Sequence, residues 1–336
     1  MSGLRTLLVG GAGFLGAHVA RALLARGHTV TALSRGRRPV PEGVEPLLAD
    51  RADAASLAAA LEGRRFDFTV DLVAYDAADV ERLLLAPHAA LGRYVLVSTG
   101  QVYLVTEARA TPFREEDSAA PLLPEPASGT FDHGQWTYGV GKRRAEAVVL
   151  ALRRSHGVRG VILRLPILQG EGDGSLRLWA YLERLLDGGP LLLPDGGARP
   201  VRHLWAADAA EAIVRLADGP WPRGAAYNLA QPEVLPVREL IERIARAAGI
   251  RARFVEAPWS ELLAAGLDAG CSPYAGAWSS LLDPARAATE LGFVGTRLDD
   301  YLPRVVRWHL DHRPARSHPG YGKRALERAF AAARAG

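Results

Sequence analysis

The chain has 336 residues, of which 49% are hydrophobic and 23% are charged, and its 41 basic and 37 acidic residues give a formal net charge of +4. This composition is ordinary for a globular protein with a large core, in one α/β domain or two interleaved lobes. The basic residues are spread along the whole chain, so the charge does not favour nucleic acid as a partner. The single cysteine, Cys271, excludes an intramolecular disulfide and favours an intracellular protein with a buried free thiol.

The first apolar segment, residues 4–9, follows the N-terminus without the charged leader and cleavage site of a signal peptide. No apolar run approaches the ~20 residues that cross a bilayer, because Arg, Asp or Gly interrupts the longest ones. The sequence therefore predicts a cytoplasmic protein without a membrane partner.

Short apolar runs alternate with helical patterns through the first half of the chain. The predicted buried strands are residues 4–9, 29–33, 45–48, 68–73, 94–97 and 161–165. The predicted helices are residues 14–26, 54–62, 78–90 and 138–156, each of which ends near Gly or Pro. This alternation predicts an α/β fold of the Rossmann type, in which helices cover a doubly wound parallel sheet.

Two stretches interrupt the alternation. Residues 105–136 carry several prolines and little periodicity, which predicts a long functional or mobile loop. After residue 165, the predicted excursions into a smaller lobe are residues 170–173, 176–186 and 194–200, and the later predicted helices are residues 237–248, 284–291, 298–312 and 324–335. We expect a larger domain of residues 1–165, to which residues 201–230 return, and a smaller C-terminal lobe of residues 166–200 and 231–336.

A glycine-rich turn joins the first predicted strand to the first predicted helix. Three glycines, Gly10, Gly13 and Gly16, recur at three-residue spacing. The first permits a tight turn, the second lets the backbone approach a pyrophosphate, and the third lets the helix pack on the strand. Phe14 and Leu15 then offer backbone N–H groups to the phosphates. Because strand, turn and helix are in register, the pattern favours a dinucleotide site over a turn without a ligand.

The residues after the second predicted strand bear on which dinucleotide binds. In NAD(H)-binding folds an acidic residue about 20 positions past the glycines accepts the ribose 2′-hydroxyl. No acidic residue occurs between His28 and Pro41, and the place is taken by Ser34 and Arg35. An arginine can pair with a 2′-phosphate through charge-assisted hydrogen bonds. The sequence favours NADP(H), with NAD(H) and a solvated basic turn as the alternatives.

Tyr138 and Lys142 lie four residues apart at the start of the predicted helix 138–156, and hence on one helix face. A cation near a phenol stabilises the phenolate and lowers the pKa of the phenol. Tyr138 can then exchange a proton with an alcohol or ketone while a hydride moves to or from a nicotinamide. An exposed helical pair is the alternative, but the only other lysine is Lys323, which argues against chance.

The predicted strand 94–97 is followed by Ser98 and Thr99, at the carboxyl edge of the sheet where ligands bind in open α/β folds. The Thr99 hydroxyl can hydrogen-bond the reacting oxygen, or it can cap its own backbone instead. No cluster of His, Cys or carboxylate residues has the spacing of metal ligands, so no metal is expected.

The glycine turn, the strand-end Ser-Thr and the Tyr-Lys pair together resemble the extended short-chain dehydrogenase/reductase family, in particular its NAD-dependent epimerase/dehydratase branch. The other matching stretches, spread over nearly the whole chain, are residues 49–51, 70–74, 94–103, 163–164, 202–208 and 227–229. The resemblance implies a catalytic triad of Thr99, Tyr138 and Lys142, in which Lys142 also holds the nicotinamide ribose.

The resemblance also implies the surroundings of the cofactor and an assembly. Asp50 and Arg51 would lie beside the adenine. The residues expected to line the rest of the dinucleotide are Leu72, Val73, Ala74 and Leu165. The smaller lobe would bind a small-molecule substrate. The family is commonly dimeric through two helices, here residues 78–90 and 138–156, which implies a homodimer.

Departures from the family pattern narrow the reaction. Dehydratases carry Asp-Glu after the catalytic Thr and decarboxylases tend to carry a Glu there, whereas this chain has Gly100 and Gln101. Residues 167–171 lack the Asn that often contacts a nucleotide sugar. Basic residues of the smaller lobe that remain candidates to bind a diphosphate are Arg177, Arg184, Arg199, Arg202 and His203.

The sequence therefore predicts an NAD(P)-dependent epimerase or ketoreductase acting on a secondary alcohol or ketone of a sugar or nucleotide-sugar-like substrate. The alternative is a non-catalytic dinucleotide-binding sensor or an RNA-binding relative. The basic and aromatic residues do not form the clustered stripes that single-stranded nucleic acid requires, so this alternative is less favoured.

Overall fold

The computed structural model describes residues 3–86, 90–107 and 110–335. It divides into two compact units. The first comprises Met1–Pro166, Ala206–Ala230 and Leu282–Val294, and the second comprises Ile167–Trp205, Gln231–Leu281 and Gly295–Gly336. The division departs from our expectation in three places, because Pro166 belongs to the first unit, residues 201–205 belong to the second unit and residues 282–294 return to the first.

The strands are β1 (Arg5–Val9), β2 (Thr29–Ser34), β3 (Glu45–Leu48), β4 (Phe68–Asp71), β5 (Arg93–Thr99), β6 (Gly160–Leu165), β7 (Leu168–Gln169), β8 (Leu191–Pro194), β9 (Pro200–Val201), β10 (Leu204–Trp205), β11 (Ala226–Asn228), β12 (Leu235–Pro236) and β13 (Phe254–Ala257). The helices are α1 (Phe14–Ala25), α2 (Ala54–Leu61), α3 (Ala77–Leu84), α4 (Gln101–Leu104), α5 (Phe131–Ser155), α6 (Arg177–Leu186), α7 (Ala206–Asp218), α8 (Val237–Ala247), α9 (Trp259–Ala264), α10 (Ala285–Leu291), α11 (Leu298–Asp311) and α12 (Arg324–Ala335). Short 3-10 helices occur at Glu115–Ala119, Asp195–Gly197, Ala269–Cys271 and Pro319–Lys323.

Seven strands of the first unit form one sheet in the order β11-β6-β5-β4-β1-β2-β3, and each neighbouring pair is parallel. In the centre, Leu8 of β1 lies opposite Ala32 of β2 and Val70 of β4. The chain runs from β1 outward to β2 and β3 and then returns to the other side of β1, so the direction of winding reverses between β1 and β4. This confirms the predicted Rossmann-type doubly wound parallel sheet and places its ligand-binding crevice at the carboxyl ends of these strands.

The sheet forms because its strands are continuous apolar runs that can be buried on both faces. Leu7 of β1, Leu96 of β5 and Ile162 of β6 are fully buried and belong to one core cluster with Ala145 and Val149 of α5. Burial of apolar side chains of this size contributes about 1.5–3 kcal/mol each relative to exposure. The α5 helix is therefore held against the sheet along its apolar face.

Two predicted boundaries were wrong. The helix expected at residues 138–156 begins at Phe131, where the Thr130 hydroxyl oxygen accepts the His133 N–H at 3.1 Å and caps the first turn. Residues 131–136 of the predicted loop are thus helical. The helix expected at residues 78–90 spans only Ala77–Leu84, and the end of that prediction falls on residues 87–89, outside the described residues.

The second unit has a core of its own. Helices α6, α8 and α11 pack through Leu182, Ile241 and Val305, which are all fully buried. The predicted C-terminal helix is confirmed as α12, and Cys271 is buried in a smaller cluster beside it. Within the described ranges, no helix is both long and apolar enough to span a membrane, and no group of three or more His, Cys, Asp or Glu residues could hold a metal ion.

Candidate functional site

The glycine turn between β1 and α1 has the geometry of a phosphate cradle. Gly10 has φ +91°, and a Cβ added there would lie 2.6 Å from Cγ1 of Val73. A Cβ at Gly16 would lie 2.5 Å from the carbonyl oxygen of Gly10, so the helix packs against the turn as closely as glycine allows. Gly13 is the N-cap of α1 and provides no side-chain cap, and the first turn contains no acidic residue. The N-terminus of α1, with Phe14 and Leu15, is therefore suited to an anion.

The predicted partners of the adenosine, Ser34 and Arg35 at the ribose and Asp50 at the adenine, lie at the carboxyl ends of β2 and β3. The N–H of Gly36 donates to the Ser34 hydroxyl oxygen at 3.3 Å, which shapes the turn after β2, and Arg35 in that turn is exposed. Asp50, just after β3, is also exposed, and its carboxylate accepts the N–H of Ala52 at 3.0 Å. Both arrangements leave charged groups at the surface of the first unit.

Arg51 is held by an ion pair beneath this edge. Its guanidinium donates to both carboxylate oxygens of Asp71, at 2.6 and 2.9 Å, and to the carbonyl oxygen of Asp79 at 2.7 Å. Asp71 is fully buried and also accepts the Tyr94 hydroxyl at 3.0 Å and the N–H of Val73 at 3.1 Å. The side chain of Arg51 thus fixes the end of β4, and its role beside the adenine stays a prediction.

The other residues expected near the dinucleotide follow the same sheet edge. The N–H of Leu72 donates to the carbonyl oxygen of Val9 at 3.0 Å, which continues the pairing of β4 with β1. Ala74 is fully buried. The carbonyl oxygen of Leu165, at the end of β6, accepts the N–H of Gly100 at 2.8 Å. These backbone hydrogen bonds align the strand ends that form the crevice.

Lys142 points from α5 to the end of β5. The side chain is 2% exposed, and its ammonium donates to the carbonyl oxygen of Val97 at 2.9 Å. Burial lowers the pKa of Lys142 to about 8, while the carboxylates of Asp71 and Glu146 act in the opposite direction. A lysine in these surroundings carries a poorly hydrated positive charge at neutral pH, which interacts strongly with nearby groups.

Tyr138 precedes Lys142 by one turn of α5 and is 36% exposed. It does not lie at the start of the helix, as the sequence suggested, because α5 begins at Phe131. Thr99 is the last residue of β5, and its hydroxyl oxygen accepts the N–H of Gln101 at 3.2 Å. This is the backbone cap that we considered as the alternative, and it uses only a lone pair, so the hydroxyl proton remains available for donation. The fold thus brings the three predicted catalytic residues to the carboxyl end of one strand.

Two helical glycines that the sequence analysis did not weigh determine how α5 approaches this strand end. A Cβ at Gly139 would lie 2.6 Å from Cγ1 of Val105 and 2.9 Å from the carbonyl oxygen of Gln101. A Cβ at Gly141 would lie 2.4 Å from the carbonyl oxygen of Tyr75. Because any other residue would push the helix away, the glycines on either side of residue 140 set the positions of residues 138 and 142. The sequence does contain a signal for this close approach, because two glycines inside a helical pattern are unfavourable unless packing requires them.

A buried ion pair behind the site also escaped the sequence analysis. Glu146 lies one turn after Lys142, and a guanidinium nitrogen of Arg164 on β6 lies 2.6 Å from its carboxylate. The Ser98 hydroxyl donates to the same carboxylate at 2.5 Å, and Arg164 donates to the Tyr103 hydroxyl at 2.7 Å. Burial disfavours the charge of Arg164, but Glu146 more than compensates and raises the pKa of Arg164. This network ties α5 to β5 and β6.

The basic residues proposed to bind a diphosphate have different environments. Arg184 is fully buried and forms an ion pair with Glu327 at 2.6 Å. His203 is also buried, and burial lowers its pKa to about 3, so its ring is neutral at physiological pH. Neither supplies an accessible positive charge, so assigning them to a diphosphate was wrong. Arg177 and Arg199 are exposed.

Comparisons with known proteins identify the family of the chain. Residues 6–230 match the model of the NAD dependent epimerase/dehydratase family. The chain is similar to 2′-dehydrokanamycin reductase of Streptomyces kanamyceticus, with 33% identity over 252 residues, which cover 73% of this chain and 67% of that protein. It is similar to 2-alkyl-3-oxoalkanoate reductase of Stenotrophomonas maltophilia, with 31% identity over 264 residues, 73% of this chain and 76% of that protein. A more distant relative is the chloroplast stem-loop binding protein of 41 kDa b of Arabidopsis thaliana, with 23% identity over 261 residues, 73% of this chain and 63% of that protein.

Solved structures share the fold. UDP-glucose 4-epimerase of Thermotoga maritima aligns with a TM-score of 0.72 and 16% identity over 92% of this chain and 100% of that one. A dTDP-glucose 4,6-dehydratase of Streptomyces venezuelae, solved with NAD bound, aligns with a TM-score of 0.69 and 24% identity over 92% and 98%. At these identities the likeness extends to the architecture and no further.

Proposed function

Because this chain belongs to the NAD-dependent epimerase/dehydratase family, within the extended short-chain dehydrogenases/reductases, we propose that it is a ketoreductase that reduces a ketone to a secondary alcohol. Both relatives above 30% identity described here are reductases, which favours net reduction over epimerisation. The reductase of Streptomyces kanamyceticus takes 2′-dehydrokanamycin by its name. By analogy, we propose that the substrate of this chain is a ketone carried by a sugar or sugar-like ring.

The observation that carries the proposal is the buried ammonium of Lys142, bonded to the Val97 carbonyl at the end of β5 and one helix turn from Tyr138. Burying a cation without a charged partner costs free energy, and cations buried in this way occur most often at functional sites. Here the ammonium can stabilise a phenolate that develops nearby. An intact phosphate cradle at Gly10 and Gly16 supports a dinucleotide beside it. The residues present thus suit a nicotinamide dinucleotide, which supplies the hydride when bound.

The chain's own residues supply the proton and position the oxygen. The Thr99 hydroxyl donates a hydrogen bond to the ketone oxygen. The Tyr138 hydroxyl donates its proton to that oxygen as the carbon is reduced, and the Lys142 ammonium stabilises the remaining phenolate. Run in reverse, Tyr138 takes the proton of an alcohol. An epimerase would use the same groups in both directions in succession, so only turnover of the cofactor distinguishes the two reactions.

We further propose that NADP(H) is preferred over NAD(H). Arg35 is exposed in the turn after β2, and the whole stretch between His28 and Pro41 is free of acidic residues. A guanidinium there can pair with a 2′-phosphate, whereas the stretch has no carboxylate to accept a 2′-hydroxyl.

The test uses purified protein, NADPH or NADH, and a panel of keto sugars and keto aminoglycosides. A ketoreductase consumes one NADPH for each ketone reduced, and the Tyr138→Phe variant loses this activity. Recovery of the protein with tightly held cofactor, together with interconversion of alcohols without net consumption, would instead establish an epimerase. Salt-dependent binding of RNA stem-loops, with no hydride transfer to any ketone, would favour a function like that of the chloroplast relative.

We also propose a homodimer formed through α3 and α5, the helices that correspond to residues 78–90 and 138–156 of the sequence analysis. The two helices are neighbours in the first unit, where Arg144 of α5 lies 3.5 Å from Asp76, the N-cap of α3. Sedimentation equilibrium of the full chain tests this, because a dimer has twice the 36.0 kDa chain mass.

A further inference from the structure

Tyr75 is an exposed aromatic residue beside two of the predicted catalytic side chains. Its ring centroid lies 6.2 Å from that of Tyr138, and the ammonium of Lys142 lies 5.4 Å from the centroid over the ring. The side chain is 55% exposed. Tyr75 directly follows residues 72–74, which the sequence analysis assigned to the dinucleotide, and neither the sequence nor the proposed mechanism gives it a role.

The backbone of Tyr75 is fixed on both sides. Its N–H donates to the Asp79 carboxylate at 2.8 Å, and Asp79 in turn lies 3.5 Å from the guanidinium of Arg51. Its carbonyl oxygen is so close to α5 that a Cβ at Gly141 would lie 2.4 Å away. The backbone that carries the ring is therefore fixed, so the point at which the side chain is attached stays beside the ammonium.

The ring has two physical effects on the Lys142 ammonium. Its negative π face attracts the cation, and its bulk keeps water from that side. The other charged groups near the ammonium are the carboxylates of Asp71, Glu146 and Asp79, which favour the charged form, and Arg51, which opposes it. None of these charged groups is described as a hydrogen-bond partner of the ammonium, which donates to the carbonyl of Val97. They therefore do not take the place of the ring as a surface that covers the ammonium.

We propose that Tyr75 is a positioning residue whose aromatic ring, and not its hydroxyl, covers the Lys142 ammonium and keeps it beside Tyr138. Its effect on Lys142 is independent of the reaction, whereas its effect on catalysis rests on the proposed function. The ring replaces solvent on one side of the ammonium with an attractive surface, so the positive charge stays close to the phenol that it is expected to stabilise.

The chain offers a direct measurement, because it has only two lysines, Lys142 and Lys323. Labelling lysine with carbon-13 at the position next to the ammonium gives two NMR signals, each of which reports its own titration. Lys323→Arg assigns them, and in the other variants the Lys323 signal serves as an internal reference. Three substitutions separate the two effects of the ring: Tyr75→Phe keeps both, Tyr75→Leu keeps the bulk without the π face, and Tyr75→Ala removes both.

The wild-type signal of Lys142 should titrate near the value of about 8 to which burial lowers its pKa. Tyr75→Phe should leave this midpoint unchanged. Tyr75→Leu should lower it by about half a pH unit, because the cation loses its π partner and remains buried. Tyr75→Ala should raise it, because water reaches the ammonium and relieves the main cause of the lowered pKa. Phe131→Leu, which changes another exposed aromatic residue of the first unit, is the matched control and should have no effect.

A midpoint that is the same in Tyr75→Leu as in the wild type overturns the proposal, and so does a Tyr75→Phe variant that shifts as much as Tyr75→Leu. In activity assays, Tyr75→Leu should lower kcat several-fold and move the basic limb of the pH profile downward, while Tyr75→Phe keeps both. If the NMR shifts appear but the wild-type protein reduces no ketone, the ring's effect on Lys142 stands and the proposed function fails.

Discussion

A buried arginine–glutamate pair of the first unit and one of the second have the same contact distance and different surroundings. In both, a guanidinium nitrogen lies 2.6 Å from a carboxylate oxygen. In the first unit, Glu146 follows Lys142 by one helix turn, and its carboxylate also accepts the hydroxyl of Ser98, the neighbour of Thr99. In the second unit, the pair of Arg184 and Glu327 joins α6 to α12 and includes no predicted catalytic residue.

The difference shows that a buried ion pair is not by itself a sign of a functional site. Burying two charges is tolerated only when their remaining hydrogen bonds are satisfied, and Arg184 meets this condition with the carbonyl oxygens of Ala180 and Gly270. What connects a pair to chemistry is the element on which it sits. The first pair lies on the helix that carries Tyr138 and Lys142, whereas the second fixes the end of the chain.

The largest effect is expected from the two lysines, which separate activity from stability most clearly. Lys142→Met should lower kcat by about 100-fold to 10,000-fold, because the proton transfer from Tyr138 loses its electrostatic support. Lys323→Met, in which an exposed ion pair with Asp268 is lost, should leave kcat unchanged and cost at most about 1 kcal/mol of unfolding free energy. Steady-state kinetics and urea unfolding of both lysine variants test this prediction. Equal kcat values for Lys142→Met and Lys323→Met would contradict it.

The second unit should respond in the opposite way. Glu327→Ala leaves Arg184 buried without its carboxylate, and this should destabilise the protein by about 3–5 kcal/mol. Its kcat, measured below the temperature at which the variant unfolds, should match that of the wild type. A large fall in kcat with unchanged stability would show that this pair is part of the site after all.

Glu146→Gln should lower both kcat and the unfolding free energy, each by less than Lys142→Met and Glu327→Ala do. The substitution keeps the shape of the side chain but removes the charge that compensates Arg164, so we expect a loss of about 1–3 kcal/mol of unfolding free energy. Because α5 is less firmly held against β5, kcat should also fall. The Glu146→Asp variant is the control, because it keeps the negative charge on a shorter side chain. If Glu146→Gln retained full activity, the two ion pairs would not differ in their importance for catalysis.

The pH dependence of the first unit follows from Lys142, whose pKa burial lowers to about 8. As pH rises above this value the ammonium loses its proton, so kcat/KM should fall about tenfold per pH unit. Stability should change in the opposite direction over the same window. Between about 8 and the unfolded-state value of about 10.5, the unfolded chain holds more protons on Lys142 than the folded one, so rising pH favours the folded state. Both trends should be absent in Lys142→Met.

The smallest effect on stability and activity is expected for Arg35, which is exposed, in contrast to the buried Arg164 and Arg184. Arg35→Ala should raise the KM for NADPH about tenfold through the loss of a charge-assisted hydrogen bond, and leave the KM for NADH unchanged. Unfolding free energy should stay within about 0.5 kcal/mol, as for most surface substitutions. A uniform loss for both cofactors would show that Arg35 does not distinguish the 2′-phosphate.

The sequence was sufficient for the parallel sheet, because alternation of apolar runs and helical patterns fixes that topology, and for the glycine turn, because close packing leaves no room for a Cβ at Gly10 or Gly16. It was insufficient where a helix starts directly after a proline-rich stretch, as at Thr130. It also could not reveal pairings between residues far apart in sequence, such as Arg184 with Glu327 or Tyr75 with Lys142, since these depend on tertiary contacts.

The central claim is that Tyr138, supported by the buried ammonium of Lys142, delivers the proton of a hydride-transfer reaction. It is tested most directly by incubating the protein with a keto sugar and NADPH that carries deuterium at the transferred position, and by locating the label in the product by mass spectrometry. We predict one deuterium on the carbinol carbon with the wild-type protein, and incorporation lowered at least about 100-fold with Tyr138→Phe. Equal incorporation by the two proteins, or none by the wild type with any ketone of the panel, would contradict the account.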